Sequence, residues 1–283
     1  MGPLMWDKTL DDYIRFFVTV FKRLKREFPE IKVGGPALCL WKEDFFEKLC
    51  TACTEAGIVP DFVSWHCYTS NARDLIAQPV RAREFMDKHG FAKTELCINE
   101  WHYLLTWEGL SASVTPDLYR HSVEGLSGLF SVDSATFNLA VLSGWQETPL
   151  DSAFYYGANI DSVWGFRSHD MDMNKNFYSM KMFGTMITQF PTKCFSESRS
   201  GTIYTLAGKS ADGQRYSLLL TAYQDCGNTI DIEVNGADGR QVEVYALDGT
   251  HDFTHYHDFY RHGNVLTIEK TRCASSAYMI VFE

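Results

Sequence analysis

The sequence predicts an α/β region followed by an all-β region, and three observations carry that reading. Strand-like and helix-like segments alternate through the first two thirds of the chain. The first three predicted strands begin at residues 31, 62 and 95, close to the length of one βα unit. After Pro191 helical periodicity disappears and short alternating runs take over, separated by turn signals. The first pattern is that of a parallel sheet or barrel, the second that of a small antiparallel sandwich.

From Thr9 to Phe28, Leu10, Tyr13, Ile14, Phe17, Val20, Phe21, Leu24 and Phe28 recur at three- and four-residue spacing, the period of an amphipathic helix. Thr9 and Asp12 form a capping-box signature, and Pro29 ends the segment. A short strand is predicted at Ile31–Val33, running into Gly34-Gly35-Pro36. Further helices are predicted at 42–56 (stopped by Gly57), 72–89 (stopped by Gly90), 132–144 and 177–189. Strands are predicted at 62–68, 95–99 and 152–156. The late strands fall at 203–207, 216–223, 229–234, 241–247, 265–268 and 277–282, with Asp212-Gly213, Asn235-Gly236, Asp238-Gly239 and Asp248-Gly249 as turns.

Composition narrows the function. The 283 residues are 45% hydrophobic and 22% charged, as in an ordinary globular protein. With 26 Lys and Arg against 36 Asp and Glu, the net charge is −10, which argues against nucleic acid as a partner. No apolar run approaches the roughly 18 residues of a membrane span, and no signal-peptide pattern opens the sequence, so no membrane partner and a cytoplasmic location are the default expectations. Eight cysteines in a chain of this length do not make a disulfide framework. Cys50-x-x-Cys53 has a redox-like or zinc-like spacing, but no second ligand pair follows it. Aromatic residues reach 14%, with seven Trp. That suits either stacking on the apolar faces of sugar rings or ordinary core packing.

In parallel α/β folds the chemistry collects at the C-terminal ends of the strands. Here those ends carry Gly35-Pro36-Ala37, Trp65-His66-Cys67-Tyr68, Asn99-Glu100-Trp101-His102 and the stretch from Tyr155 to Trp164. Glu100 closes the apolar run Leu96-Cys97-Ile98, where a charge is costly unless it stands at an open rim. Asn99 and Trp101 supply a hydrogen bond and a ring on either side of it. A carboxylate so placed is what a retaining glycosidase needs as nucleophile, paired with a second carboxyl group about 5 Å away as acid/base.

The chain resembles the second half of a clan A glycoside hydrolase of family 39, which includes β-xylosidases and α-L-iduronidase. The resemblance rests on Met5-Trp6 with Thr9-Leu-Asp-Asp-Tyr13, Gly34-Gly35-Pro36-Ala37, Asp61-Phe-Val-Ser-Trp-His66 with Tyr68, Asn99-Glu100-Trp101, and Gln146 with Pro149-Leu-Asp151 and Tyr155-Tyr156. It implies a partial (β/α)8 TIM-type barrel of about four βα units over residues 1–190 and an accessory antiparallel β-sandwich over 191–283. It also implies that Glu100 is the nucleophile, that His66 and Tyr68 orient it and contact sugar, and that Tyr156 and Trp164 line the subsite. Asn99 and Trp101 complete the expected substrate contacts. Xylo-oligosaccharides or aryl xylosides are the implied substrates, and no cofactor or metal is needed for hydrolysis by carboxylates.

One departure stands out. The family's acid/base glutamate lies in an Asn-Glu-Pro motif just upstream of the segment matched by Met1–Trp6, so that glutamate and the first four barrel strands are expected to be missing. Open sheet edges are an aggregation liability, and the expectation is a homo-oligomer that covers them. Glu108, Glu147, Asp161 and His102 are the in-chain substitutes for the acid, and the sequence does not choose among them. The alternative is a catalytically impaired, carbohydrate-binding half-barrel. Of the remaining constellations, His251, His255, His257 and His262 with Asp252 and Asp258 read as a metal site or, better, as a polar hairpin tip. Asp170, Asp172 and Asn174 lack the Gly and Glu of a calcium loop. Trp101 and Trp164 are the expected sugar platforms, and Trp145 is expected in the core.

Overall fold

The computed structural model describes residues 6–110, 115–159, 162–168, 170–236 and 239–283. Met5 of the first motif, Asp161 among the substitute acids and Asp238 of one expected turn lie outside the described residues. The chain divides into two compact units. One comprises the described parts of Met1–Tyr68, Arg73–His102 and Thr148–Tyr156; the other comprises Thr69–Ala72, Tyr103–Glu147 and Gly157–Glu283.

The first unit is a parallel sheet with helices. Helix α1 (Leu10–Glu27) begins at the expected capping box and buries Ile14, Phe17 and Phe21. Strand β1 (Gly34–Leu38), helix α2 (Glu43–Ala56), strand β2 (Phe62–Thr69), helix α3 (Ala72–Lys88), strand β3 (Glu95–Tyr103) and strand β4 (Ser152–Tyr155) follow in the chain. The described sheet has the order β1-β2-β3-β4. Gly57 caps α2 in the left-handed conformation, φ 63°. Cys50 and Cys53 are buried in α2, and burial pushes their thiols up to about 11 and about 12, which suits core packing rather than redox chemistry.

The first strand corrects the sequence expectation. Ile31–Val33 is not a strand; the ladder starts at Gly34, opposite Phe62. Val33 is tied instead to Asp61, whose Oδ2 accepts its N–H at 2.7 Å. A Cβ on Gly34 would stand 2.1 Å from the Phe62 carbonyl oxygen, so the two strands approach here because the side chain is missing. The register between β1 and β2 then shifts at Ala37, which takes φ 58° and donates its N–H to Ser64 Oγ at 3.0 Å.

The second unit contains helices α4 (Pro116–Glu124), α5 (Val132–Trp145) and α6 (Lys175–Gln189) and strands β5 (Thr192–Cys194), β6 (Ile203–Lys209), β7 (Tyr216–Ala222), β8 (Thr229–Glu233), β9 (Val242–Leu247), β10 (Asp252–His255), β11 (Phe259–His262), β12 (Val265–Glu269) and β13 (Ser276–Phe282). The sequence reading did not anticipate α4, β5, β10 and β11. Six strands form one sheet in the order β10-β9-β13-β7-β6-β5, and three form another, β11-β12-β8. Alternation decides which face each residue takes. Leu218, Leu220 and Ala222 of β7 with Tyr278, Ile280 and Phe282 of β13 pack among Ile230, Ile232, Leu266 and Ile268 of the smaller sheet. The intervening Leu219, Ala277, Met279 and Val281 face Ala135 and Leu139 of α5 and Met182 and Met186 of α6. Helices α5 and α6, grouped with the barrel in the sequence reading, therefore cover the six-stranded sheet. Trp145 is buried, as expected.

The His-rich segment is not a hairpin tip. Strand β10 pairs with β9 in the larger sheet, whereas β11 pairs with β12 in the smaller one, so the segment crosses between sheets. His251 Nδ1 lies 3.0 Å from Asp248 Oδ1, within a loop. Among the described residues, no three His, Cys, Asp or Glu side chains come together in a way that could hold a metal ion. Nor is any described helix long and apolar enough to cross a membrane.

Candidate active site

Glu100 stands within β3, not at its end: the strand continues through Tyr103. What exposes it is a bulge. Ile98 pairs with Ala153 and Trp101 with Tyr155, so three steps on β3 match two on β4, and Asn99 and Glu100 take up the extra residue. In a regular strand consecutive side chains point to opposite faces. Here both reach His66: Asn99 Nδ2 lies 3.4 Å from His66 Nε2, and Glu100 Oε2 lies 3.2 Å from His66 Nδ1.

On the adjacent strand, His66 and Tyr68 are two apart and share a face. The Tyr68 hydroxyl donates to Glu100 Oε2 at 2.7 Å. Burial pushes that hydroxyl far above its usual range and the bond to Glu100 adds to the effect, so Tyr68 is a donor at every accessible pH. Burial also holds His66 below its ordinary value, against the attraction of Glu100, which leaves the imidazole neutral at pH 7. Asn99 Nδ2 can only donate, so His66 Nε2 accepts and the ring hydrogen resides on Nδ1, aimed at Glu100. Tyr156 closes the cluster, its ring edge-on to Tyr68 with centroids 5.8 Å apart at 76°. It is 40% exposed and so presents a ring to solvent.

Of the seven residues expected at the site, His66, Tyr68, Asn99, Glu100 and Tyr156 form one contiguous cluster in the first unit. Trp101 does not join it as a platform. It is 2% exposed and packs edge-on to Tyr155 at 5.1 Å, with no open face for a sugar ring. Trp164 belongs to the second unit, where its ring centroid lies 6.1 Å from that of Trp107, itself largely exposed. Two of the substitute acids are engaged elsewhere. His102 is fully buried with Nε2 2.6 Å from the Tyr155 hydroxyl, and Glu147 is paired with Lys193 at 2.9 Å. Glu108 is exposed in a short 3-10 turn of the second unit. No sequence signal marks the His102–Tyr155 pair, whose partners are 53 positions apart.

Chemically, the cluster is a partly exposed carboxylate with one oxygen, Oε2, accepting from Tyr68 and lying 3.2 Å from the His66 ring. Both contacts fall on Oε2 rather than Oε1.

No protein-family model matches the chain. A β-xylosidase of Geobacillus stearothermophilus is 32% identical over 66 residues, which is 23% of this chain and 13% of that protein. Among solved structures, a glucosidase from Croceicoccus marinus superposes with a TM-score of 0.70 at 20% identity, over 100% of this chain and 67% of that one. A GH51 α-L-arabinofuranosidase from Thermotoga petrophila gives 0.65 at 16% identity, over 98% and 63%. A GH30 endoxylanase from Clostridium papyrosolvens gives 0.57 at 12%, over 98% and 61%. The chain thus spans about two thirds of the length of these structures, and at these identities the likeness establishes a fold shared with glycoside hydrolases.

Proposed function

We propose that the chain carries the nucleophile side of a retaining glycoside hydrolase site, of the family 39-like β-xylosidase type, acting on β-linked xylosides or related pentosides. The observation that carries this reading is the arrangement around Glu100, with Tyr68 donating to Oε2 and His66 Nδ1 3.2 Å from the same oxygen. Oε1 attacks the anomeric carbon as the glycosidic bond breaks and the aglycone departs, leaving the sugar esterified to Glu100; water then attacks the same carbon and returns Glu100 as a carboxylate. Tyr68 and His66 keep the carboxylate from rotating and stabilise its charge when it leaves the sugar. Tyr156 flanks the sugar.

The acid/base of the pair is not assigned to a residue of this chain, given the engagement of His102 and Glu147. Without general-acid help, glycosylation is slower by about 10²- to 10⁴-fold for poor leaving groups. The domain division at 190/191 and a homo-oligomer covering the outer strands β1 and β4 belong to the same reading, and light scattering tests the second.

The direct test is covalent labelling with a 2-deoxy-2-fluoro-β-xyloside bearing a dinitrophenyl leaving group, which departs without acid assistance. A single adduct on the Glu100 peptide is the expected result. No adduct while xylobiose still binds points instead to a carbohydrate-binding half-barrel, and neither adduct nor binding sinks both readings.

A further inference from the structure

Two of the loops that carry the chain between the sheets of the second unit meet at a pair of cysteines. Residues 223–228 run from β7 of the larger sheet to β8 of the smaller, and residues 270–275 run from β12 back to β13. The loops are fastened to each other. Lys270 donates its backbone N–H to the Asn228 carbonyl at 2.9 Å, and Gln224 N–H donates to Ser275 Oγ at 3.1 Å. The Lys270 ammonium is buried, and it donates to the carbonyls of Asp225 at 3.1 Å and of Thr271 and Ala274 at 3.2 Å each, with the Asp225 carboxylate 3.5 Å away. Cys226 and Cys273 sit beside this anchor, both exposed and both free thiols. Cys273 Sγ lies 4.0 Å from the Cys226 carbonyl oxygen, which places the two thiols side by side. Cys273 takes φ 54°, a left-handed conformation.

We infer that Cys226 and Cys273 are a redox modification site, closing to a reversible disulfide by exchange with a low-molecular-weight disulfide such as oxidised glutathione. One thiol loses its proton to solvent and attacks a sulfur of the small disulfide. That S–S bond breaks, and one reduced thiol departs and takes up a proton. The second cysteine, as thiolate, attacks the mixed disulfide and expels the other reduced thiol. Two protein thiols are oxidised and one small disulfide is reduced, so no further oxidant is required. The bond joins two of the sheet crossovers and closes a loop between residues 47 apart, which restricts the unfolded chain. The neighbouring Cys273 thiol pushes the Cys226 thiol up, so exchange is slow at neutral pH and quickens with alkali. Cys50 and Cys53, buried in α2, do not compete. This inference is independent of the sugar chemistry at Glu100.

The test uses the full chain equilibrated in glutathione buffers from reducing to oxidising, quenched with an alkylating agent and mapped by peptide mass spectrometry. The expected result is one cross-linked pair of peptides, Cys226 with Cys273, and a chain mass lower by two hydrogens. With it comes a rise in Tm of about 5–10 °C on oxidation. Cys226→Ser and Cys273→Ser each abolish the link and the Tm rise, with the reduced-state Tm unchanged. Glutathione adducts that persist on either cysteine, a different pairing, or a linked chain whose Tm does not rise would each overturn the inference.

Discussion

Replacing Tyr68 by Phe removes one hydroxyl from the candidate site and keeps the ring that packs on Tyr156. The lost interaction is a 2.7 Å hydrogen bond to a carboxylate whose side chain is 32% exposed. Bonds to charged groups contribute about 1.5–3 kcal/mol. At a third exposure water takes over part of the role, so about 1–2 kcal/mol is the proper figure, or about 5- to 30-fold in rate. Which step suffers follows from where the charge is. When Glu100 attacks, its charge is consumed, so the Tyr68 bond weakens toward the transition state and its loss does not slow that step. When the glycosyl-enzyme breaks down, the charge returns to the carboxylate and the bond strengthens. Tyr68→Phe therefore slows release of the 2-fluoro-xylosyl adduct by about 5- to 30-fold while its formation changes little. Intact mass spectrometry follows both rates on the same sample. If adduct release proceeds at the wild-type rate, or formation is slowed more than release, Tyr68 does not act as described.

Other consequences are checked on the fold. Lys270→Met leaves the Asp225 carboxylate without its ammonium and three carbonyls without their donor, and is expected to cost about 3 kcal/mol in urea unfolding. Gly34→Ala puts a methyl group against the Phe62 carbonyl and is expected to cost more than about 2 kcal/mol, with β1 losing hydrogen-exchange protection first. Because burial holds His66 below its ordinary value, the unfolded chain binds the extra proton first as pH falls below about 6.5. The His66 contribution to stability is thus fully present above pH 6.5 and is lost as pH falls through the folded-state value; His66→Gln flattens that part of the Tm–pH curve.

Much of the fold was legible because burial imposes simple periods. The 3.6-residue period of α1, its capping box and the Gly57 stop are local signals, and all appear where expected. The strands β7 and β13 were legible as strands, but their two-sided burial under α5 and α6 was not, because continuous apolar runs do not say what covers each face. β1 was misplaced because Gly-Gly-Pro has poor β-propensity; it forms a strand only because a neighbouring backbone comes close at Gly34, which no single segment encodes. At the site, the placement of His66 and Tyr68 of the preceding strand beside Glu100 was legible in the sequence. The bulge was not, since it depends on the register against β4. That register also decides that Trp101 is buried while Asn99 and Glu100 turn to His66.

The bulge gives Asn99 a role that can be isolated. Its amide donates to His66 Nε2, which fixes the neutral ring with its hydrogen on Nδ1, toward Glu100. Asn99→Asp keeps the shape and replaces the donor by an acceptor. Nε2 then needs its own hydrogen, and with Glu100 still accepting from Nδ1 the ring is satisfied only as imidazolium between two carboxylates. Opposite charges at this range favour the charged form, so the His66 midpoint, now below its ordinary value, should rise. The cation would hold the Glu100 charge more tightly and slow adduct formation, the opposite step from the one that Tyr68→Phe slows. NMR titration of the imidazole reads the first effect and labelling kinetics the second. A His66 midpoint that does not rise from wild type to Asn99→Asp would show that Asn99 does not set the ring's protonation, and the oriented network at Glu100 would have to be abandoned.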